Sequence, residues 1–118
     1  MDTTVPSYLY TASFPTGSSY ICDPPVLDTD IDIMYLTLNL VFAVEQLERM
    51  GWTLCGQHNK GYTSNNWCAL RKGKYNALLT DDLDHFYKFL KATMEAKKLN
   101  LLKKEDRIAL FEKILNAS

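Results

Sequence analysis

Apolar and polar positions change period several times along the chain, and each change predicts an element. Residues 30–37, Asp-Ile-Asp-Ile-Met-Tyr-Leu-Thr, carry β-branched side chains and partial alternation, which predicts a strand. Over residues 38–50, Leu40, Phe42, Ala43, Val44, Leu47 and Met50 make a broad apolar stripe. Glu45, Gln46, Glu48 and Arg49 fall mostly opposite, the pattern of an amphipathic helix, with Gly51 as its stop. Trp52 to His58 predicts a second strand, and the polar, glycine-containing stretch Asn59 to Asn66 a loop. Trp67–Arg71 and Lys74–Thr80 flank Lys72-Gly73, which predicts an antiparallel hairpin. Asp81 or Asp82 can cap a following helix that runs to about Lys98, with Asp84 at its positive end and Leu83, Phe86, Tyr87, Leu90 and Met94 as its buried face. After Asn100 to Leu102 a last helix is expected from about Lys103 to Leu115, burying Ile108, Phe111, Ile114 and Leu115. Residues 1–29 are rich in Thr, Ser, Pro and Asp; they predict a short strand from Tyr8 to Phe14 and a loop through Gly17-Ser18-Ser19, and Pro24-Pro25 excludes a long helix there.

The order strand, strand, helix, strand, hairpin, helix, helix predicts an α+β fold: a mixed sheet of about four to five strands with helices packed on it. The 118 residues fit a single domain over 1–118, with no repeat or linker. A formal net charge of −1 gives no general attraction for nucleic acid, so an anionic ligand needs a local patch. Cys22, Cys55 and Cys68 show no CxxC spacing and read as free thiols in a reducing compartment. No stretch approaches the ~18 apolar residues of a membrane span, and the start of the chain lacks the basic and apolar regions of a signal peptide. A cytoplasmic location is the expectation.

The informative chemistry lies in Thr16-Gly17-Ser18 and, after eleven intervening residues, Asp30-Ile31-Asp32-Ile33. Side chains alternate along a strand, so Asp30 and Asp32 share one face while Ile31 and Ile33 point to the other. Two adjacent carboxylates repel unless a cation sits between them, which makes such a pair a seat for a hard divalent ion, Mg²⁺ or Mn²⁺. A glycine lets the backbone approach a ligand closely, and successive N–H groups with a serine hydroxyl can cradle phosphate oxygens. Gly17, Ser18 and Ser19 are therefore candidate nucleotide-binding residues. Asp28, Asp30 and Asp32 mimic the first ligands of a calcium-binding helix-loop-helix, but Ile33 replaces the glycine and Asn39 the glutamate that such a loop needs.

These residues resemble the signature of the DNA polymerase β-like nucleotidyltransferase superfamily: hydrophobic-Gly-[Gly/Ser], then after a spacer Asp-hydrophobic-[Asp/Glu]-hydrophobic. The string Asp28-Thr29-Asp30-Ile31-Asp32 is similar to that of minimal single-domain members, and the stretch from Trp67 through Leu115 is similar to small nucleotidyltransferases of bacteriophage genomes. Thr16 departs from the hydrophobic position before the glycine. The resemblance implies transfer of a nucleoside monophosphate from a nucleoside triphosphate to a hydroxyl acceptor, on a protein, a tRNA end or a small molecule. Asp30 and Asp32 are then both catalytic and metal-binding. It also implies a third carboxylate on a later strand. The matching stretch reads Tyr75-Asn76-Ala77, and Asn76 is no base at neutral pH. The alternative is therefore a weakly active or inactive protein of the same fold, a phage-type modulator that binds a nucleotide or a host protein. Arg71, Lys72 and Lys74 cluster at the hairpin turn, where solvated side chains are expected; Lys74, in phase with Asn76, is a further candidate for a phosphate. Trp67 is expected in packing, Tyr62 at the surface, and His58 in a structural role.

Overall fold

A computed structural model describes residues 5–22, 30–57 and 67–116. Five strands form one mixed sheet in the order β1-β2-β5-β4-β3. They are β1 (Ala12–Thr16), β2 (Ile31–Leu36), β3 (Thr53–Gln57), β4 (Trp67–Lys72) and β5 (Tyr75–Thr80). The central pair β2–β5 is parallel, and the other three pairings are antiparallel. Four helices accompany the sheet: the single turn α1 (Ser18–Ile21), then α2 (Leu40–Arg49), α3 (Leu83–Leu99) and α4 (Lys104–Leu115). The α+β class and the order of the main elements are those expected from the pattern of the chain, except that the helical turn α1 stands where the pattern predicts a loop through Gly17-Ser18-Ser19; no helix among the described residues is long and apolar enough to cross a membrane.

Alternation sorts the strand residues into two faces, each with its own core. Tyr35, Leu70, Ala77 and Leu79 pack with Ala43 and Leu47 of α2, together with Trp52, Val5 and Leu9. On the other face Phe14 and Met34 pack with Phe86, Phe89, Ala92 and Ala96 of α3 and with Phe111 and Leu115 of α4. The sheet is thus the middle of three layers.

Local signals set the boundaries. Asn39 caps α2 by accepting from the Phe42 amide at 3.0 Å. Gly51, at φ +94°, ends α2: its amide donates to Glu48 O at 3.1 Å and that of Trp52 to Leu47 O at 3.0 Å. Asp82 caps α3 by accepting from the amides of Asp84 and His85. The β4–β5 hairpin turns on Gly73-Lys74, with Gly73 at φ +62° in the first central position, as a type II′ turn requires.

Three expectations are corrected. The hairpin turn is Gly73-Lys74 rather than Lys72-Gly73, so Lys72 closes β4 and Lys74 lies in the turn. The first strand begins at Ala12, not Tyr8; Ser7–Leu9 forms a 3-10 turn that folds Leu9 back beneath α2. The buried face of α3 is His85, Phe86, Phe89, Ala92, Thr93 and Ala96, whereas Leu83, Tyr87 and Met94 are at least half exposed. The three cysteines are free thiols.

Candidate functional site

Register brings four polar side chains into one row across the sheet. Thr16 of β1 pairs with Asp32 of β2, Asp32 with Asn76 of β5, and Asn76 with Arg71 of β4. All four lie on the face that carries α3 and α4. Asp30, just before β2, stands at the rim beside the row. The sequence motif therefore comes together in space: the glycine turn, both aspartates and Asn76 meet at the start of the parallel pair.

Gly17 holds the turn against Asp32. Its φ of +77° is a left-handed value that favours glycine, and a Cβ placed there would lie 2.1 Å from Asp32 Oδ2. Only a residue without a side chain leaves room for that carboxylate. Thr16, the departure from the hydrophobic position, is buried, and its hydroxyl lies 2.8 Å from Thr93 Oγ1. Thr93 in turn donates to the Phe89 carbonyl at 2.9 Å, so Thr16 donates to Thr93 and both buried hydroxyls are satisfied. This chain ties β1 to α3 directly behind the glycine. Ser18 and Ser19 form the first residues of α1, and Ser18 lines the adjoining cavity. The side chain of Ser19 lies outside the described residues, as do Asp28, His58 and Tyr62.

The Asn76 amide bridges the acidic pair. Its Nδ2 donates to Asp32 Oδ1 at 2.8 Å and to Asp30 Oδ2 at 3.3 Å, so both carboxylates face a single point. Burial raises the pKa of Asp32 above the ordinary carboxylate value; the Asn76 hydrogen bond opposes that shift, nearby Asp30 adds to it and Arg71 opposes it. Arg71 forms an ion pair with Asp30 and also donates from Nε to the Gly73 carbonyl at 3.2 Å. The site thus carries its own positive group, beyond the solvated role expected for it. Lys72 also has a structural task, donating to the Met50 carbonyl at the end of α2 at 2.7 Å. Lys74 does not join Asn76: it sits in the turn, exposed, before β5 begins.

A hard cation fits the donors present, two carboxylates and an amide oxygen available by rotation of Asn76, all hard oxygen ligands. Among the described residues there is no group of three or more His, Cys, Asp or Glu side chains able to hold a metal. The departure at Asn76 accounts for this, since the position beside Asp32 is neutral.

The pair opens into a cavity of about 500 Å³ between the sheet and the helices α3 and α4. Gly17, Ser18, Asp30 and Asp32 line one part of it, and Trp67, His85, Lys104 and Arg107 also contribute. His85 is 4% exposed, and burial lowers its pKa against the raising effect of Asp82 and Asp84. Sequence reasoning assigned no site role to His85, Lys104 or Arg107. Their convergence depends on how α3 and α4 pack, which no local pattern encodes. For Arg71 a signal existed: a two-residue turn at Gly73-Lys74 pairs Arg71 with Asn76. Comparison with protein-family models, with curated proteins and with solved structures finds no match to this chain.

Proposed function

We propose that the protein is a metal-dependent nucleotidyltransferase acting in the cytoplasm, which moves a nucleoside monophosphate from a nucleoside triphosphate to a hydroxyl acceptor. The observation that carries this reading is the meeting of Asp30, Asp32 and the Gly17 turn at the mouth of a ligand-sized cavity. Such cavities commonly measure ~300–1,000 Å³. Asp30 and Asp32 would hold Mg²⁺ or Mn²⁺, with Asn76 turning its carbonyl oxygen toward the same point. A bound divalent ion would offset phosphate charge and lower the pKa of the acceptor hydroxyl. Gly17 and Ser18 would hold the β- and γ-phosphates with backbone N–H groups and the serine hydroxyl. Arg71, released from Asp30 when a cation takes its place, would stand as a guanidinium beside the phosphates. The acceptor oxygen attacks the α-phosphorus, the bond to the β-phosphate oxygen breaks, pyrophosphate leaves, and the hydroxyl proton passes to water.

A second reading is an inactive or weakly active binding protein of phage type, which takes up a nucleotide or a host protein without transfer. Asn76 favours it, since a neutral amide stands beside Asp32 where a third carboxylate would supply a general base worth ~10²–10⁴ in rate.

Incubation with each labelled nucleoside triphosphate, Mg²⁺ or Mn²⁺, and a lysate separates the two. Transferred label that is lost in Asp30→Ala and Asp32→Ala supports the enzyme. Nucleotide binding in calorimetry with no transferred label supports the binding protein.

A further inference from the structure

The cavity beside the acidic pair is lined by two nitrogen-bearing side chains, Trp67 and His85, that the proposed transfer chemistry does not use. Trp67 Nε1–H is inaccessible to solvent and has no hydrogen-bond partner among the described residues. His85 is 4% exposed, and its imidazole makes no hydrogen bond among the described residues; only its backbone amide does, to Asp82. Buried polar groups are paired in the great majority of cases, and an unpaired one costs ~1–3 kcal/mol. One such donor, with the His85 imidazole on the same cavity lining, points to a ligand that supplies their partners.

The remaining walls describe that ligand. Met34 and Leu78 belong to the sheet, and Phe89 and Phe111 face it from α3 and α4, all lining the same cavity. This part of the cavity is therefore apolar, with a polar edge formed by an indole and an imidazole, while Asp30, Asp32, Lys104 and Arg107 line the charged remainder. A neutral imidazole offers one donor and one acceptor, and burial holds His85 toward that neutral form. The complement is a planar, uncharged heteroaromatic ring with donors and acceptors on its edge.

We infer that this cavity is the nucleobase pocket, in which Trp67 Nε1–H and the His85 imidazole recognise the polar edge of the base between the apolar sheet floor and the aromatic residues of α3 and α4. The inference rests on the nucleotide reading above, because the pocket is continuous with Gly17, Asp30 and Asp32. It adds a prediction that reading does not contain: the base is held by groups separate from those that hold the phosphates. A free nucleoside, with neither phosphate nor metal, is then a ligand in its own right.

The test uses the full chain labelled with ¹⁵N. Trp52 and Trp67 give two indole N–H signals, and Trp52→Phe assigns them, since Trp52 lies in the core on the opposite face of the sheet. Adenosine, guanosine, cytidine and uridine are titrated in the presence of a chelator. The expected result is a saturable downfield shift of the Trp67 indole proton with at least one nucleoside, as it gains an acceptor, while the Trp52 signal stays in place. His85→Phe and Trp67→Phe should each weaken nucleoside binding by about fivefold or more, the loss expected for one hydrogen bond. Glu48→Ala, exposed on α2 on the opposite face of the sheet, should leave it unchanged. Thermal melts of each variant establish that it is folded, and unaltered chemical shifts in α2 and β3 serve as the second check. If no nucleoside moves the Trp67 signal while a triphosphate with Mn²⁺ binds, the base pocket is wrong and the phosphate site stands. Nucleoside binding that survives both His85→Phe and Trp67→Phe also overturns the assignment. If neither nucleoside nor triphosphate binds, the nucleotide reading falls as well.

Discussion

Replacing Asn76 with aspartate tests the geometry of the acidic row. In the parent protein the Asn76 amide donates to Asp32 at 2.8 Å and to Asp30 at 3.3 Å. The substitution removes both donors and sets a third carboxylate against Asp32. At roughly 4 Å and an effective dielectric of about 20 the new repulsion amounts to ~4 kcal/mol. The Asp30 part is smaller, because that side chain is 37% exposed and screened by water. Uptake of a proton limits the cost: at pH 7, protonating a carboxyl of ordinary pKa ~3.9 takes about 4 kcal/mol. A net loss of about 2–4 kcal/mol follows, or a fall in Tm of roughly 10 °C for a chain of this size. The sign with pH is fixed. The introduced carboxyl has a folded-state pKa raised above its unfolded value, so the deficit is full above the raised value and shrinks as pH falls through the window between them. At pH 5 the proton-uptake limit is only about 1.5 kcal/mol. Millimolar Mg²⁺ or Mn²⁺ should recover much of the loss at pH 7, because three carboxylates around one point bind a cation better than two. Thermal melts of Asn76→Asp and parent, at pH 7 and pH 5, with chelator and with metal, give all four comparisons. A variant as stable as the parent in chelator at pH 7, or one that divalent ions fail to rescue, would refute the placement of Asn76 between the aspartates. If transfer activity is present in the parent, the same substitution should raise it.

Gly17→Ala should lower stability by about 1–3 kcal/mol and abolish nucleotide binding, since a left-handed φ and the Asp32 carboxylate both oppose a Cβ; melting and calorimetry read the two effects separately. Asp32→Asn should stabilise the protein near neutral pH, because burial of Asp32 raises its pKa in the folded state. That gain should be full above the raised value, shrink as pH falls through it and disappear below the ordinary carboxyl value, which urea unfolding at several pH values measures. Thr93→Val should cost about 1–3 kcal/mol by leaving the Thr16 hydroxyl buried without an acceptor, whereas the double variant with Thr16→Val should recover part of the loss in the same unfolding assay.

The fold was legible where local rules suffice. The strand from Asp30 onward, the hairpin around Gly73, the Asp82 cap and the Gly51 stop each follow from a residue whose chemistry permits little else. The shared face of Asp30 and Asp32 followed from alternation, whereas the place of Asn76 beside them was implied only by the family resemblance, since its adjacency to Asp32 depends on a parallel pairing with residues 37–74 between the two strands. The buried face of α3 was misread because the helix offers two apolar stripes. Leu83, Tyr87 and Met94 are larger and more apolar than Ala92, Thr93 and Ala96, yet the small residues are the ones buried, at 0% exposure. Close approach of α3 to the sheet and to α4 selects them, and Thr93 enters because Thr16 and the Phe89 carbonyl satisfy its hydroxyl. Arg71 read as a surface charge because a hairpin turn usually solvates its cations; its partner Asp30 is distant in sequence and reaches it only through two strand pairings.

The most direct test of the central claim is anomalous scattering from a crystal grown with Mn²⁺ and a non-hydrolysable nucleoside triphosphate. A manganese peak shared by Asp30 and Asp32, with triphosphate density running along Gly17 and Ser18, is the predicted result. Density for Asn76 still bridging two metal-free carboxylates, with the nucleotide elsewhere or absent, would contradict it.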